Sequence, residues 1–541
     1  ATRNLPADAV DKVQVFDRKS DQAQFTGIDD GQKEKTINLE LKEEKRKGAF
    51  GQLSIGGGSE ERYQAKASVN KFSKEKQLSF LGMANNVNEQ GFGIDDYMNF
   101  TGGSQAMMSG RGQVRIEIND DNQNGIPLSM GGRPDGVMSS IAGGANFNRD
   151  LGKKTEISSS YFYNRVDHIT TGSLLRENFF TTGKLNYNES SDQDNLNNNH
   201  RFNFSLDHKV DSMNSIKFST TLSYNQTDAM QNTSSSMSSD EVGILNASER
   251  QVESNGTAAR LSTSLLWRHR FARKGRTFSA NLQYSGSAND RFSTQDLRVF
   301  DDQREDRFFQ DIDQTIVNKV ASATLSFTEP LGKRKYLEAN YSYRINRNEF
   351  ARDVFDLLEN VMLRNDSISA AYSSAYEYHK AGLNFRMNRK QFSLTVGAAI
   401  QNARLDGIVE NLDVHLDRSF MNVLPAMRFN YNFSDNKDLS VEFETTVDEP
   451  GIQQLQPVVD NSDPLNLYVG NPDLRPSNSH NLRVNLGSFN PINFMNFNMF
   501  LEATLTNDAV AVSQSVDERG VRLSKPVNVE DTRVAMGHFS F

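Results

Sequence analysis

From about Gly48 onward the chain alternates apolar and polar residues with a period of two. In the stretch 216 to 224, Ile216, Phe218, Thr220, Leu222 and Tyr224 share one face, while Lys217, Ser219, Thr221 and Ser223 share the other. The pattern returns as Phe278, Ala280, Leu282 and Tyr284 against Ser279, Asn281 and Gln283, and as Leu337, Ala339, Tyr341, Tyr343 and Ile345 against Glu338, Asn340, Ser342 and Arg344. Further copies begin at Phe392, Leu439 and Phe497. Several run for nine or more positions, the length a tilted strand needs to cross a bilayer and longer than an ordinary soluble strand. One oily row and one wet row per strand predict a sheet with lipid on one side and water on the other.

Short polar turns close successive pairs of these segments: Asp150 to Lys154, Ala272 to Arg276, Pro330 to Arg334, Asn388 to Lys390 and Ser434 to Asp438. At the opposite ends lie long polar stretches, 89 to 138, 167 to 197, 228 to 255, 290 to 312, 349 to 375, 449 to 476 and 507 to 530, which are expected to be loops. Tight turns at one end and long loops at the other are the asymmetry of outer-membrane barrels, with the turns on the periplasmic side. The pattern predicts about 18 strands over residues 46–541, from 48 to 57 through 198 to 210 and 376 to 388 to 531 to 541. The fold expected is therefore all-β, a large antiparallel transmembrane β-barrel. Residues 1–45 differ: Val13 to Phe16 and Thr36 to Lys42 read as short strands flanking the turn Gly27 to Gly31, as in the end of a separate domain.

Composition sharpens this picture. The 541 residues are 36% hydrophobic and 24% charged, and no run of 18 apolar residues exists to form a membrane helix. With no cysteine there is no disulfide, thiolate nucleophile or Cys-ligated metal. A formal net charge of -9 argues against nucleic acid as a partner. The eight histidines are scattered, and neither a metalloprotease, a nucleophile-elbow nor a phosphate-loop motif is present, so no enzyme is expected and no cofactor is implied. One loop places oxygen ligands as a calcium loop does, at Asp120, Asn122 and Asn124 before Gly125. Its twelfth position is Gly131 in place of the bidentate Glu, which favours an ordinary polar loop. Trp267, His269 and Phe271 lie at the turn end of an oily row, where an interfacial aromatic girdle is expected.

Two segments carry a family resemblance. The stretch Asn4-Leu5-Pro6 through Asp11, Val13 and Val15 to Phe16, followed by Thr36 to Leu39 and Gly48 to Gly51, resembles the end of the plug and the first barrel strand in TonB-dependent outer-membrane receptors of Bacteroidota. The stretch Gly470-Asn471-Pro472-Asp473-Leu474-Arg475-Pro476 is similar to the segment such receptors carry where a long loop re-enters the barrel; its two prolines are expected to fix the backbone there. The resemblance implies a plug remnant over 1–45, a barrel of 22 strands when complete, and a chain that begins inside the plug and stops about four strands short. Against that shortfall, Phe539-Ser540-Phe541 resembles a terminal barrel-assembly signal. The implied partners are outer-membrane lipid, the TonB complex through a preceding segment, a small-molecule, glycan or peptide ligand, and a surface lipoprotein. The implied function is energy-coupled import. The alternatives are an outer-membrane barrel that binds or assembles at the surface without import, and a secreted glycan-binding protein.

Overall fold

The computed structural model describes residues 10–19, 33–41, 48–73, 75–89, 135–180, 183–239, 243–300, 305–358, 361–410, 414–434, 436–455, 457, 459–460, 465–490, 493, 495–517 and 521–541. An N-terminal hairpin, β1 (Val10–Lys19) with β2 (Lys33–Leu41), pairs Val13 with Leu39 and Val15 with Ile37. There follow β3 (Gly48–Gly57), β4 (Tyr63–Ser73), β5 (Lys76–Asn85), β6 (Val137–Leu151), β7 (Thr155–Phe180), β8 (Gly183–Lys209), β9 (Asn214–Ser239), β10 (Gly243–Arg270), β11 (Thr277–Phe300), β12 (Glu305–Gly332) and β13 (Lys335–Leu358). Next come β14 (Val361–Arg364), β15 (Ala370–Asn388), β16 (Phe392–Val409), β17 (Val414–Ser434) and β18 (Lys437–Asp448). The remainder is α1 (Ile452–Leu455), β19 (Val459–Asp460), β20 (Asn466–Val469), β21 (Ser477–Phe489), β22 (Asn496–Asn507), β23 (Val510–Val516), β24 (Arg522–Asn528) and β25 (Asp531–Ser540).

The strands from β3 to β18, with β21, β22 and β25, form one closed barrel in which β25 neighbours β3. Leaving aside the four-residue β14, which adds to the tip of β13, eighteen strands make the wall. Closure satisfies the backbone of every strand without an edge facing hydrocarbon. The ring closes on the strands of this chain. The oily rows face outward and align across strands: Phe202 opposes Leu222, which opposes Leu261. Many of their side chains are exposed, among them Phe202 at 39%, Leu222 at 48% and Val423 at 63%, as side chains must be when their burial partner is lipid and not a second sheet.

The expected turns are present. In those after β6 and β10, Gly152 and Gly275 take φ of 66° and 89°, a left-handed conformation that a side chain resists. Trp267 packs edge-on to Phe278 at 5.7 Å and His269 to Phe271 at 4.6 Å, forming the expected aromatic cluster near the turns.

Four of the expected loops are corrected. The stretches 167 to 197, 228 to 255, 290 to 312 and 349 to 375 largely continue the ladders, so that β7 to β13 are 24 to 28 residues long. The oily row stops where lipid stops, but pairing does not: Asp192 opposes Asn232 and Asn232 opposes Gln251, polar pairs that are stable in water. A rule that ends a strand with its apolar row therefore ends these too early. The stretches 449 to 476 and 507 to 530 also hold structure, a four-stranded sheet in the order β19-β20-β24-β23.

Candidate ligand site at the extracellular mouth

On β15 the lipid-facing row includes Ala381, Leu383 and Phe385, so Tyr372, Tyr376 and Tyr378 lie on the lumenal row of the same strand, toward the long-loop end. Register carries that row across the wall: Tyr378 opposes Ala403, and Ala403 opposes Phe420; Tyr376 opposes Leu405, and Leu405 opposes Arg418. All three tyrosines, Ala403, Leu405 and Leu416 are buried in one cluster with Leu455 of α1 and Leu474, and Phe420 and Val510 pack at its margin. The small sheet is thus the upper part of a cap whose apolar underside rests on the inner wall of the barrel. Tyr376 and Tyr378 stack at 6.0 Å, and Arg344 of β13 sits 5.6 Å from the ring of Tyr378.

The motif 470 to 476 holds the cap together. Gly470, Leu474 and Pro476 are buried, whereas Asp473 and Arg475 are exposed. Asn471 donates from its backbone to the Gln454 carbonyl at 2.6 Å and from its amide to the Pro526 carbonyl at 3.0 Å, and its side-chain oxygen accepts from the Asp473 backbone at 3.1 Å. Asn528 of the second loop accepts from the Arg475 backbone at 2.8 Å and donates to the carbonyls of Arg475 and Asp508 at 3.0 and 2.8 Å. Arg475 pairs with Asp508 at 2.7 Å, and Asp473 with Arg418 of the wall at 3.1 Å. In the small sheet β20 runs parallel to β24, Leu467 beside Leu523. Two loops that are remote in sequence become one folded unit, and the prolines account for only part of that. Pro472 is half-buried and Pro476 precedes β21 directly.

Glu449, immediately after β18, is half-buried beside Tyr378 and Arg344. Burial holds its carboxyl above the usual carboxylate range, and the neighbouring Tyr378 and Arg344 draw it partly back. Lower on the lumenal wall, charges alternate in sign. Glu442 directly opposes both Arg428 and Arg483, and Arg483 opposes Glu502; Arg428 pairs with Glu442, and Arg483 with Glu502 at 2.7 Å. Arg386 reaches Glu338 at 3.5 Å. Opposite charges facing each other keep this face wet and rigid.

Of the residues singled out in the sequence, the 470 to 476 motif is brought to the mouth, while Asp11, Val13 and Val15 lie on β1. Asn4, Leu5, Pro6, Asp120, Asn122 and Asn124 lie outside the described residues, as does the turn Gly27 to Gly31. The tyrosine row was missed because its upper part fell in an expected loop. Its signal is an alternating Tyr372, Ser374, Tyr376, Tyr378 row whose parity is opposite to that of the lipid-facing residues below.

The outer membrane protein beta-barrel family matches residues 269–541, from the end of β10 through the motif to the last strand. The chain belongs to that family. Its place is accordingly the bacterial outer membrane. No curated protein matches it in sequence. Among solved structures, P. aeruginosa FpvA bound to heterologous pyoverdines is 10% identical, with 98% of this chain and 69% of that chain covered at a TM-score of 0.36. The ferric yersiniabactin uptake receptor FyuA from Yersinia pestis is 8% identical, covering 98% and 77% at 0.35. The alcaligin outer-membrane receptor FauA from Bordetella pertussis is 9% identical, covering 99% and 82% at 0.29.

Proposed function

We propose that this family member is a receptor and transporter that takes a ligand across the outer membrane by energy coupling to the TonB complex. The observation that carries the reading is the cap: Leu455 and Leu474 pack in one buried cluster with Tyr372, Tyr376 and Tyr378 of the lumenal wall. Eighteen strands enclose a lumen wide enough for solutes, and a wide lumen with a folded cover suits gated uptake better than passive diffusion. The β1–β2 hairpin, with the resemblance of residues 4 to 16 to the end of a plug, supports the same reading, with residues 1–45 as the plug's last part and 46–541 as the barrel. In this account the motif 470 to 476 seats the cap, ligand first meets the capped face, and the alternating charges below guide it inward.

The test is genetic. The gene and, separately, the inner-membrane TonB partner are deleted from the native host, and growth is measured on a ferric siderophore, a corrinoid, a glycan and a peptide as limiting nutrients. Import predicts that both deletions abolish growth on the same nutrient. A gene deletion whose growth defect is not reproduced by loss of TonB would replace import with surface binding or assembly.

A further inference from the structure

A different part of the wall, β7 to β11, carries its own lumenal row. Its oily residues, among them Phe202, Leu222 and Leu282, face outward, so the intervening positions face the lumen. One register of that row reads Asn164, Asn199, Asn225, Ala258 and Asn289, each the direct cross-strand partner of the next. Asn164 and Asn199 are 5% exposed and Asn225 is 7% exposed. Yet the side-chain oxygen of Asn164 and both amide atoms of Asn199 make no hydrogen bond. Buried carboxamides are normally satisfied, and two cross-strand neighbours with open amide atoms are expected where something else completes them. Asn199, Asn225 and Asn289 line a cavity of about 270 Å³, with Arg201, Arg260 and Ser223 beside them and no Asp or Glu on its lining.

We propose that this amide row is a carbohydrate-binding site that takes an oligosaccharide bearing acidic groups. A carboxamide offers donors and an acceptor together, the complement of a sugar hydroxyl. Successive asparagines on neighbouring strands are about 4.8 Å apart, close to the advance of one pyranose unit, whereas an extended peptide advances by about 3.4 Å and falls out of step. Arg260, exposed on the lumenal row one step along β10 from Ala258, supplies the cation for a uronate. Binding at this row stands without the import reading, on which the assignment rests only for the passage of bound glycan inward.

The detergent-solubilised chain, applied to an array of neutral and uronate-bearing oligosaccharides, is expected to retain a subset dominated by uronate-bearing members. Asn199→Ala, confirmed as folded by its heat-modifiable gel mobility, should weaken binding roughly tenfold. Asn164→Ala gives the same reading independently, should the first variant fail to fold. Arg260→Gln should keep binding and remove the preference for uronates. No retained glycan, binding unchanged in a folded asparagine variant, or a preference for neutral sugars would overturn the assignment. Because binding is read without an energised membrane, glycan retention by a barrel whose deletion phenotype is independent of TonB would cost the import reading alone.

Discussion

The barrel builds its extracellular end in two ways. From β7 to β13, strands of 24 to 28 residues carry their ladders well past the roughly 9 to 11 residues that cross the membrane. From β15 to β25 the barrel strands are 10 to 21 residues long, and the chain beyond them folds back as a small sheet on the inner wall. The first half gains its stability from backbone pairing and many small polar cross-strand contacts, such as Ser235 with Ser248 at 2.8 Å. In the second, stability is concentrated in a few apolar side chains and one hydrogen-bonded junction. The long half should therefore tolerate change at any one position, while the capped half should depend sharply on particular residues.

The largest contrast expected is between Leu474→Ala and Ser235→Ala. Leu474, 2% exposed, is the side chain that the motif inserts into the tyrosine cluster. Its truncation should leave a cavity and destabilise the cap by about 2–5 kcal/mol. Loss of the Ser235 hydroxyl should cost about 1 kcal/mol. Hydrogen exchange of β20 and β24 against that of the β9–β10 hairpin reads both, and equal effects would erase the distinction between the halves.

Asn528→Ala comes next. The side chain joins the two cap loops by one accepted and two donated hydrogen bonds. Removing it strands the Arg475 amide and two carbonyls, at about 1–3 kcal/mol. Both loops, 465 to 476 and 508 to 528, should lose exchange protection together; loosening of one alone would show that the cap is two independent loops.

How much of this was legible is explained by the same contrast. The membrane part of every wall strand declared itself because lipid demands an unbroken oily row: the expected 215 to 227, 277 to 289 and 376 to 388 all fall inside β9, β11 and β15. The hairpin extensions did not, since Asn, Ser, Thr and Gln pair as readily in water as they form loops, and nothing in 228 to 239 marks the difference. The 470 to 476 motif could be located from sequence, but its work could not. Asn528 lies 53 residues from Arg475, and a bond between two loops leaves no periodic trace. The tyrosine row was readable in principle from parity alone, and became significant only once Leu474 was seen to cover it.

The two halves should also separate by pH. Glu449 is held above its ordinary range chiefly by burial, beside Tyr378, Arg344 and Asp448. A carboxyl with a raised folded-state value binds its proton more tightly when the cap is closed. Its contribution is therefore complete below the ordinary carboxylate range and is lost as pH rises through the raised value. Cap protection should fall as pH rises above the ordinary carboxylate range while that of the β9–β10 hairpin stays level, and Glu449→Gln should flatten the cap profile. A cap that grew tighter as pH rose would contradict the assignment.

The smallest effect expected is at Arg418 and Asp473, whose 3.1 Å pair is the cap's ionic contact with β17. The Asp473 side chain is 85% exposed, so water already solvates it and salt screens the attraction. A double-mutant cycle with Arg418→Gln and Asp473→Asn, read as cap exchange protection, should return a coupling of about 0.2–1 kcal/mol that shrinks as salt is raised. Arg418→Gln should cost more than Asp473→Asn, because the arginine is 30% exposed and also lines the lumenal row opposite Leu405. A large, salt-independent coupling would move the hold on the cap from its buried leucines to this surface pair. The contrast between the two halves would then be one of charge rather than of packing.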